Sequence, residues 1–209
     1  MAKGLRDGSG SHNGDGRAWT IHSRVDSYET VASKLDSGTS NVSMQSLCGP
    51  EPGQRARPLR LFLVHHGEAV GPEVDPRRPL SARGQEAVAR LAADAAALGA
   101  RPDLIWHSGK LRARQTAEAF WRACNALAEF SAVRDVQPDD PPEWMRDRLR
   151  RQSRDILIAG HFPHLTKLLS LLLHAEDPTA HFPAHGVVAL VSNDEGETWK
   201  ELWKLEVRS

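Results

Sequence analysis

Three short apolar runs, each followed by polar residues and then by a helical pattern, constrain the fold of this chain more than any other feature. The runs are Leu61–Val64, Asp103–Trp106 and Asp155–Ala159. Continuous apolar runs of this length are typical of strands buried on both faces of a parallel sheet. Their alternation with helical patterns predicts an α/β fold: a three-layer, doubly wound, mostly parallel sheet with helices on both faces.

The segments between the runs supply the other predicted elements. Ser81 is placed to cap a helix that runs through Ala97, and a second helix is expected from about Leu111 to Ala128. The remaining predictions are a weaker strand over 131–136, a charged helix over 143–152, an apolar helix over 165–174, and a C-terminal hairpin of strands 186–191 and 198–207.

Residues 1–57 differ in character from the rest of the chain. Gly, Ser, Asn and Asp are scattered among charges there, and such a segment buries too little apolar surface to order itself. We therefore expect a flexible extension over 1–57 and one domain over 58–209. Met44 lies shortly before the first strand, so the upstream residues are also consistent with a misplaced gene start and a true start at Met44.

Composition restricts the binding partners and the cellular compartment that we expect for this chain. Lys and Arg total 27 and so do Asp and Glu, so the whole chain offers no long-range attraction to nucleic acid or to an acidic membrane. No apolar run approaches the ~20 residues of a membrane-spanning helix. Two cysteines cannot build the disulfide framework of a small secreted domain. We expect a cytoplasmic protein, with a monomer as the default state.

Histidines stand at the ends of the predicted strands. The segments concerned are His65-His66-Gly67, His107-Ser108 and Gly160-His161, and Arg112 follows in the first turns of the next helix. In an open α/β sheet, ligands bind beyond the carboxyl ends of the strands. Imidazole, guanidinium and a helix N-terminus together suit a phosphoryl group, and a neutral imidazole is also able to attack phosphorus.

Four segments carry a family resemblance, in this order: Leu63–Ala69, Arg78–Gly84, Ser108–Thr116 and Ala159–Pro163. Together they resemble the histidine phosphatase superfamily, and in particular its small single-domain phosphohistidine phosphatases. The resemblance covers about residues 59–207, and four motifs in the right order are far more specific than any one of them.

The resemblance implies a phosphatase without metal or other cofactor. His66 would attack phosphorus and become transiently phosphorylated, His161 would complete the phosphate pocket, and Arg112 would hold the equatorial oxygens in a bidentate contact. His65, Gly67 and Ser108 would contact the phosphate or line its pocket. The implied substrate is a phosphorylated protein, through phosphohistidine, or a small phosphate ester.

Two positions depart from the family pattern. His65 stands where the family has Arg, and Gly109 stands where Pro is common. Replacing a guanidinium by an imidazole that is charged only part of the time near neutral pH predicts weaker phosphate binding and a loss of activity above neutral pH. Gly109 is expected to change the stiffness of the loop more than its chemistry.

The acid that protonates the leaving group is not evident from the sequence. Asp139, Asp140 and Glu143 lie in or beside a Pro-rich loop at a suitable position, and the sequence does not choose among them. A phosphoramidate leaving group makes only a weak demand on an acid, so none of the three need be essential.

Two other functions compete with the phosphatase. In one, His65 has replaced an essential Arg and the chain is a non-catalytic phosphate-binding member of the same fold. In the other, His65, His66, His161 and His164 bind a metal ion together with a nearby carboxylate, as in a metallohydrolase. Arg112 argues against the metal, because its permanent positive charge would lie next to the ion. An attacking imidazole at His66 favours the enzyme over the binding module.

Overall fold

The computed structural model describes residues 57–174 and 182–207, and the predicted extension with its start at Met44 lies outside them except for Arg57. The described elements, in chain order, are β1 (Leu59–His65), α1 (Ala82–Ala97), β2 (Leu104–His107), α2 (Leu111–Cys124), β3 (Glu129–Ala132), α3 (Pro142–Leu149), β4 (Ile156–Gly160), α4 (His164–Leu173), β5 (Val187–Ser192) and β6 (Lys200–Leu205). The predicted α/β class is confirmed.

The six strands form one mixed sheet in the order β3-β2-β4-β1-β5-β6. Pairing is parallel from β3 to β1, and β5 and β6 are antiparallel to their neighbours, as the predicted hairpin requires. The carboxyl ends of β1, β2 and β4 therefore meet at one edge. Because β5 runs in the opposite direction beside β1, the residues that precede β5 reach the same edge.

Both faces of the sheet are buried. Along β1, Leu61 and Leu63 pack into a core with α3 and α4, whereas Phe62 and Val64 pack into a second core with α1 and α2. Successive side chains of a strand point to opposite faces, so an uninterrupted apolar run indicates a strand with helices on both sides. This explains why the β1 run contains no polar residue.

Helix α1 begins as the sequence predicts, since the Ser81 hydroxyl accepts a hydrogen bond from the Gly84 N–H at 2.9 Å. Helix α2 ends earlier than predicted. Its C-cap residue Asn125 is extended, and its side chain donates to the Pro102 carbonyl at 2.9 Å and accepts from the Leu127 N–H at 3.1 Å. These local bonds compete with a further helical turn.

The third strand lies two residues earlier than predicted. Parallel pairing with β2 sets its register, with Leu104 opposite Glu129 and His107 opposite Ala132. The chain then leaves the sheet, so the predicted strand residues after Ala132 form a loop instead. None of the helices in the described residues is long and apolar enough to cross a bilayer.

Candidate active site

The sheet edge brings together the residues that the sequence singled out. His65 pairs with Gly160 across β1 and β4, so His66 and His161 follow neighbouring parallel strands. Their ring centroids lie 5.0 Å apart. From the first turn of α2, the Arg112 Nε donates a hydrogen bond to the His66 Nε2 at 3.1 Å. The three expected catalytic residues therefore meet at one point.

His66 is held in one tautomer. Its Nδ1–H donates to the Gly67 carbonyl at 2.8 Å, which leaves the lone pair on Nε2, where Arg112 donates. Burial is the main cause that lowers the pKa of His66 to about 4; the bond to Gly67 opposes this shift and the charge of Arg112 adds to it. At neutral pH the ring is therefore uncharged, with the electron pair of Nε2 directed toward Arg112.

A buried threonine ties this loop to helix α2. The Thr116 hydroxyl accepts from the Gly67 N–H at 3.1 Å and donates to the Arg112 carbonyl at 2.8 Å. Gly67 also packs closely, since a Cβ at this position would lie 2.4 Å from Val88 Cγ2. Thr116 thus fixes the loop after the nucleophile relative to the helix that carries the guanidinium. Thr116 is the last residue of the motif Ser108–Thr116, and the sequence alone did not indicate this role.

His161 and Ser108 form the opposite wall. The His161 Nε2 and the Ser108 hydroxyl share a hydrogen bond of 2.7 Å, and both residues are buried. The Gln137 amide donates to the Ser108 carbonyl at 2.7 Å and so supports this wall from the loop after β3. Burial, followed by the charges of the neighbouring His66 and Arg112, lowers the pKa of His161 to about 3. Like His66, it is neutral at neutral pH.

His65 does not behave as a partly charged substitute for Arg. It is buried, its ring stacks on Phe162 at a centroid distance of 3.9 Å, and its Nδ1 accepts from the His185 N–H at 2.9 Å. Burial, followed by repulsion from the neighbouring His66, lowers its pKa to about 3. Protonation of His65 therefore does not change near neutral pH. The premise that His65 is partly charged near neutral pH is therefore contradicted, and the expected loss of activity above neutral pH has no support from this side chain.

His185 is a member of the site that the sequence reasoning missed. Its Nδ1–H donates to the His66 carbonyl at 2.6 Å, and its ring stacks on His65 at a centroid distance of 5.0 Å. Its backbone has a left-handed φ of 54°, which is uncommon outside glycine. One signal was available: His185 precedes an antiparallel strand, and such a residue lies at the carboxyl ends of the parallel strands beside it.

The permanent positive charge of the site comes from side chains other than His65. The Arg78 Nε donates to the Val70 carbonyl at 3.3 Å from a left-handed backbone with φ 51°. Its charge helps to lower the pKa values of both His66 and Arg112. Lys110, directly before α2, helps in the same way to lower the pKa of His161. Arg78 is half-buried beside the site.

The three acid candidates are placed differently. Asp140 accepts from the Gln137 N–H at 2.7 Å and lines an open cavity of about 400 Å³ together with Ser108 and Asp135. Asp139 and Glu143 are exposed. The structure thus connects Asp140 to the Ser108 wall through Gln137.

The histidines that could hold a metal ion are not the predicted four. In the described part of the chain, one possible ligand atom from each of His65, His66 and His185 lies within 4.8 Å of the other two. His161 uses its Nε2 in the bond to Ser108. His164 is fully buried at the start of α4, and neither of its ring nitrogens has a partner among the described residues.

The fold matches solved phosphatases. A structure from Agrobacterium tumefaciens described as a phosphohistidine phosphatase, SixA, has a TM-score of 0.59 and 26% identity, and the match covers 71% of this chain and 98% of that chain. A protein histidine phosphatase SixA in complex with tungstate has a TM-score of 0.63 and 20% identity, covering 70% of this chain and 96% of that one. A mycobacterial glucosyl-3-phosphoglycerate phosphatase has a TM-score of 0.52 and 15% identity, covering 73% and 100%.

No protein-family profile and no curated protein matches the sequence. The structural matches nevertheless agree with the superfamily that the sequence resembles, since the neighbours are phosphatases of that superfamily. By its fold, the described domain therefore resembles the histidine phosphatase superfamily, and in particular the phosphohistidine phosphatases within it.

Proposed function

We propose that this protein is a phosphatase that removes a phosphoryl group from protein phosphohistidine or from small phosphomonoesters through a covalent intermediate on His66. The observation that carries the proposal is the state of the His66 ring. Its Nδ1–H is bound to the Gly67 carbonyl and its Nε2 lone pair meets Arg112. An imidazole that attacks phosphorus needs a lone pair on one ring nitrogen, and a hydrogen bond from the N–H of the other ring nitrogen keeps it there.

Arg112 supplies the contact to the phosphoryl oxygens. Its Nε lies 3.1 Å from the nitrogen that would bind phosphorus, so the same guanidinium fork is in reach of oxygens around that phosphorus. A planar guanidinium binds two such oxygens at once. Arg78 and Lys110 add positive charge nearby, and this charge compensates the negative charge of the phosphoryl group, which an uncharged His65 does not do.

In the first step the Nε2 electron pair of His66 attacks phosphorus, and the bond from phosphorus to the leaving oxygen or nitrogen breaks with its electron pair on the leaving group. The leaving group takes a proton from solvent or from a neighbouring acid. In the second step a water oxygen attacks phosphorus, the bond to Nε2 breaks, and the water proton is released to solvent. The products are inorganic phosphate and neutral His66.

His161 is proposed to stabilise charge during the transfer. A dianion bound beside an imidazole raises the pKa of that imidazole, so His161 is more easily protonated with phosphate present than without it. Its bond to Ser108 holds the ring in place on the far side of His66. The open cavity beyond Ser108 leaves room for a leaving group as large as a protein side chain.

The test is release of phosphate from a histidine-phosphorylated protein and from an aryl phosphate. We would compare the wild type with His66→Ala and with His174→Asn, a control at an exposed histidine whose left-handed backbone Asn tolerates. We expect full activity in the control and none in His66→Ala. Rapid quenching in alkali should trap label on the wild-type protein, since phosphohistidine is stable to base and labile to acid.

The ratio of the two rates separates the substrate classes: faster turnover of the protein substrate identifies a phosphohistidine phosphatase. Phosphate or tungstate binding without release of phosphate from either substrate would contradict the proposal and would identify a phosphate-binding module. Equal activity of His66→Ala and wild type would remove His66 from the mechanism.

A further inference from the structure

Three imidazoles are gathered where the sheet edge meets the start of β5. His65 is the last residue of β1 and His66 follows it, and His185 precedes the antiparallel strand β5. One possible ligand atom from each lies within 4.8 Å of the others. His185 has no part in the phosphatase mechanism above, and it reaches this place because β5 runs antiparallel to β1.

Backbone carbonyls orient two of these rings. The Nδ1–H of His66 donates to the Gly67 carbonyl at 2.8 Å, and the Nδ1–H of His185 donates to the His66 carbonyl at 2.6 Å. Both rings therefore keep the lone pair on Nε2. Histidines that bind metal ions are usually held in this way, with the second ring nitrogen bound to a carbonyl or carboxylate that fixes the tautomer.

The third ring is less ready to act as a ligand. The Nδ1 of His65 accepts from the His185 N–H at 2.9 Å, so its proton is on Nε2. Ligation through Nε2 would move that proton to Nδ1 and break this bond. Stacking on Phe162 and on His185 holds the ring in the cluster. Its contribution to metal affinity is therefore expected to be smaller than that of the other two rings.

We propose that His66 and His185, with His65 as a weaker third ligand, form a binding site for a divalent transition-metal ion of the class that imidazole favours, such as Zn²⁺, Ni²⁺ or Cu²⁺. Bonds of about 2.0–2.1 Å from Zn²⁺ to nitrogen require the ligand atoms to draw together. From their present separations of up to 4.8 Å, the ligand atoms would have to approach one another by about 1 Å or more, and rotation of the side chains would have to supply this shift.

Arg112 limits the affinity of the three histidines for a metal ion. Its Nε donates to the same Nε2 lone pair of His66 that the metal would take, so the guanidinium must turn away when the ion binds. Its positive charge and that of Arg78 also repel a cation. Three histidines leave one position of a tetrahedral ion open, and these charges favour an anion such as chloride or phosphate at that position.

Metal binding and catalysis are then mutually exclusive. The ion occupies the electron pair with which His66 attacks phosphorus, so Zn²⁺ should inhibit turnover; this consequence alone rests on the proposed phosphatase function. Metal binding itself is measured without substrate and remains testable in a chain that shows no turnover.

The experiment titrates chelator-treated, full-length protein with Zn²⁺ in competition with a chromophoric zinc indicator, and repeats the titration with Co²⁺ to observe the absorption of a low-coordinate site. The variants are His185→Ala, His185→Gln, His65→Gln and Arg112→Ala, with His174→Asn as the control. Circular dichroism establishes that each variant is folded.

We expect both His185 variants to weaken Zn²⁺ binding at least tenfold, His65→Gln to weaken it less, and the control to leave it unchanged. Arg112→Ala should bind Zn²⁺ more tightly than the wild type, because it removes both the competing donor and a positive charge. Unchanged affinity in folded His185→Ala or His185→Gln would overturn the site, as would weaker binding in Arg112→Ala.

Discussion

The hydroxyl of Thr116 accepts a hydrogen bond from the backbone N–H of Gly67 at 3.1 Å, and this bond joins helix α2 to the loop that carries His66. The same hydroxyl donates to the Arg112 carbonyl, one turn earlier in the helix. The guanidinium and the nucleophile are therefore positioned by a shared, fully buried group. Their alignment depends on a residue that has no chemical part in phosphoryl transfer.

Replacing Thr116 by Val keeps the shape of the side chain and removes the hydroxyl. The buried Gly67 N–H then lacks its acceptor, which we expect to lower the free energy of unfolding by about 1–3 kcal/mol. Turnover should fall as well, because His66 is less firmly aligned with Arg112. Thr116→Ser keeps the hydroxyl and should retain more of both. Urea unfolding and phosphate release measure the two effects, and equal losses in Val and Ser would show that the hydrogen bond is unimportant.

Arg112→Lys keeps a positive charge and removes the planar fork. We expect a fall in kcat of about 10²-fold or more, the usual cost of losing one well-placed donor to a transition state. Arg114→Lys is the matched control, since Arg114 lies on the same helix, is exposed, and pairs with Glu118 at 2.8 Å. Steady-state kinetics on both variants is the measurement. A similar small change in both would mean that charge alone, without bidentate geometry, is sufficient at this position.

Asp140 is expected to act through position and not as the acid. Its carboxylate accepts from the Gln137 N–H, and the Gln137 side chain supports the Ser108 carbonyl. Asp140→Ala should therefore reduce turnover of good and poor leaving groups by the same factor, whereas loss of an acid would affect poor leaving groups most. Asp139→Ala, at the exposed neighbour, should be nearly silent. A selective loss with alkyl phosphates in Asp140→Ala would instead identify it as the acid.

Much of the fold could be predicted from the sequence because its strands are buried on both faces. The run Leu61–Val64 has no polar residue to confuse its assignment, and Ser81 carries a local capping signal that the structure confirms. The ends of helices and strands were harder to predict where tertiary contacts determine them. The end of α2 depends on an Asn125 side chain that bonds to Pro102, far away in sequence, and the position of β3 depends on its pairing with β2.

The residues of the site, like the elements of the fold, could be predicted only in part. His66, Arg112 and His161 stand in ordered motifs, and the parallel strands that precede the two histidines bring these residues together. His185 belongs to no such motif, and it enters the site only because β5 is antiparallel to β1. The charge of His65 was misjudged because burial and the repulsion from His66, which lower its pKa, exist only in the folded chain.

Acid should destabilise the folded protein, because the fold buries several histidines as neutral rings. Burial lowers the pKa of His65 and His161 to about 3 and lowers that of His164 as well. A pKa that is lower in the folded state means that the unfolded chain binds more protons as the pH falls below its ordinary value of about 6.5. The contribution of these neutral histidines to the free energy of unfolding is thus fully present above about pH 6.5, and it is lost progressively as the pH falls toward the pKa of the folded state.

Between about pH 7.5 and pH 5.5, His65 and His161 should each cost about 1 kcal/mol of unfolding free energy, and His164, whose pKa is also lowered by burial, should add to this loss. His164→Leu isolates one of them, since Leu has a similar volume and removes two ring nitrogens that have no partner among the described residues. Urea unfolding at the two pH values should show a smaller acid loss in His164→Leu than in the wild type, with stability at the higher pH unchanged or increased. The exposed His174→Asn should keep the wild-type slope. An identical slope in His164→Leu and wild type would mean that His164 takes up its proton within the fold, with Asp140 and Asp135, whose charges raise its pKa, as the groups that stabilise it.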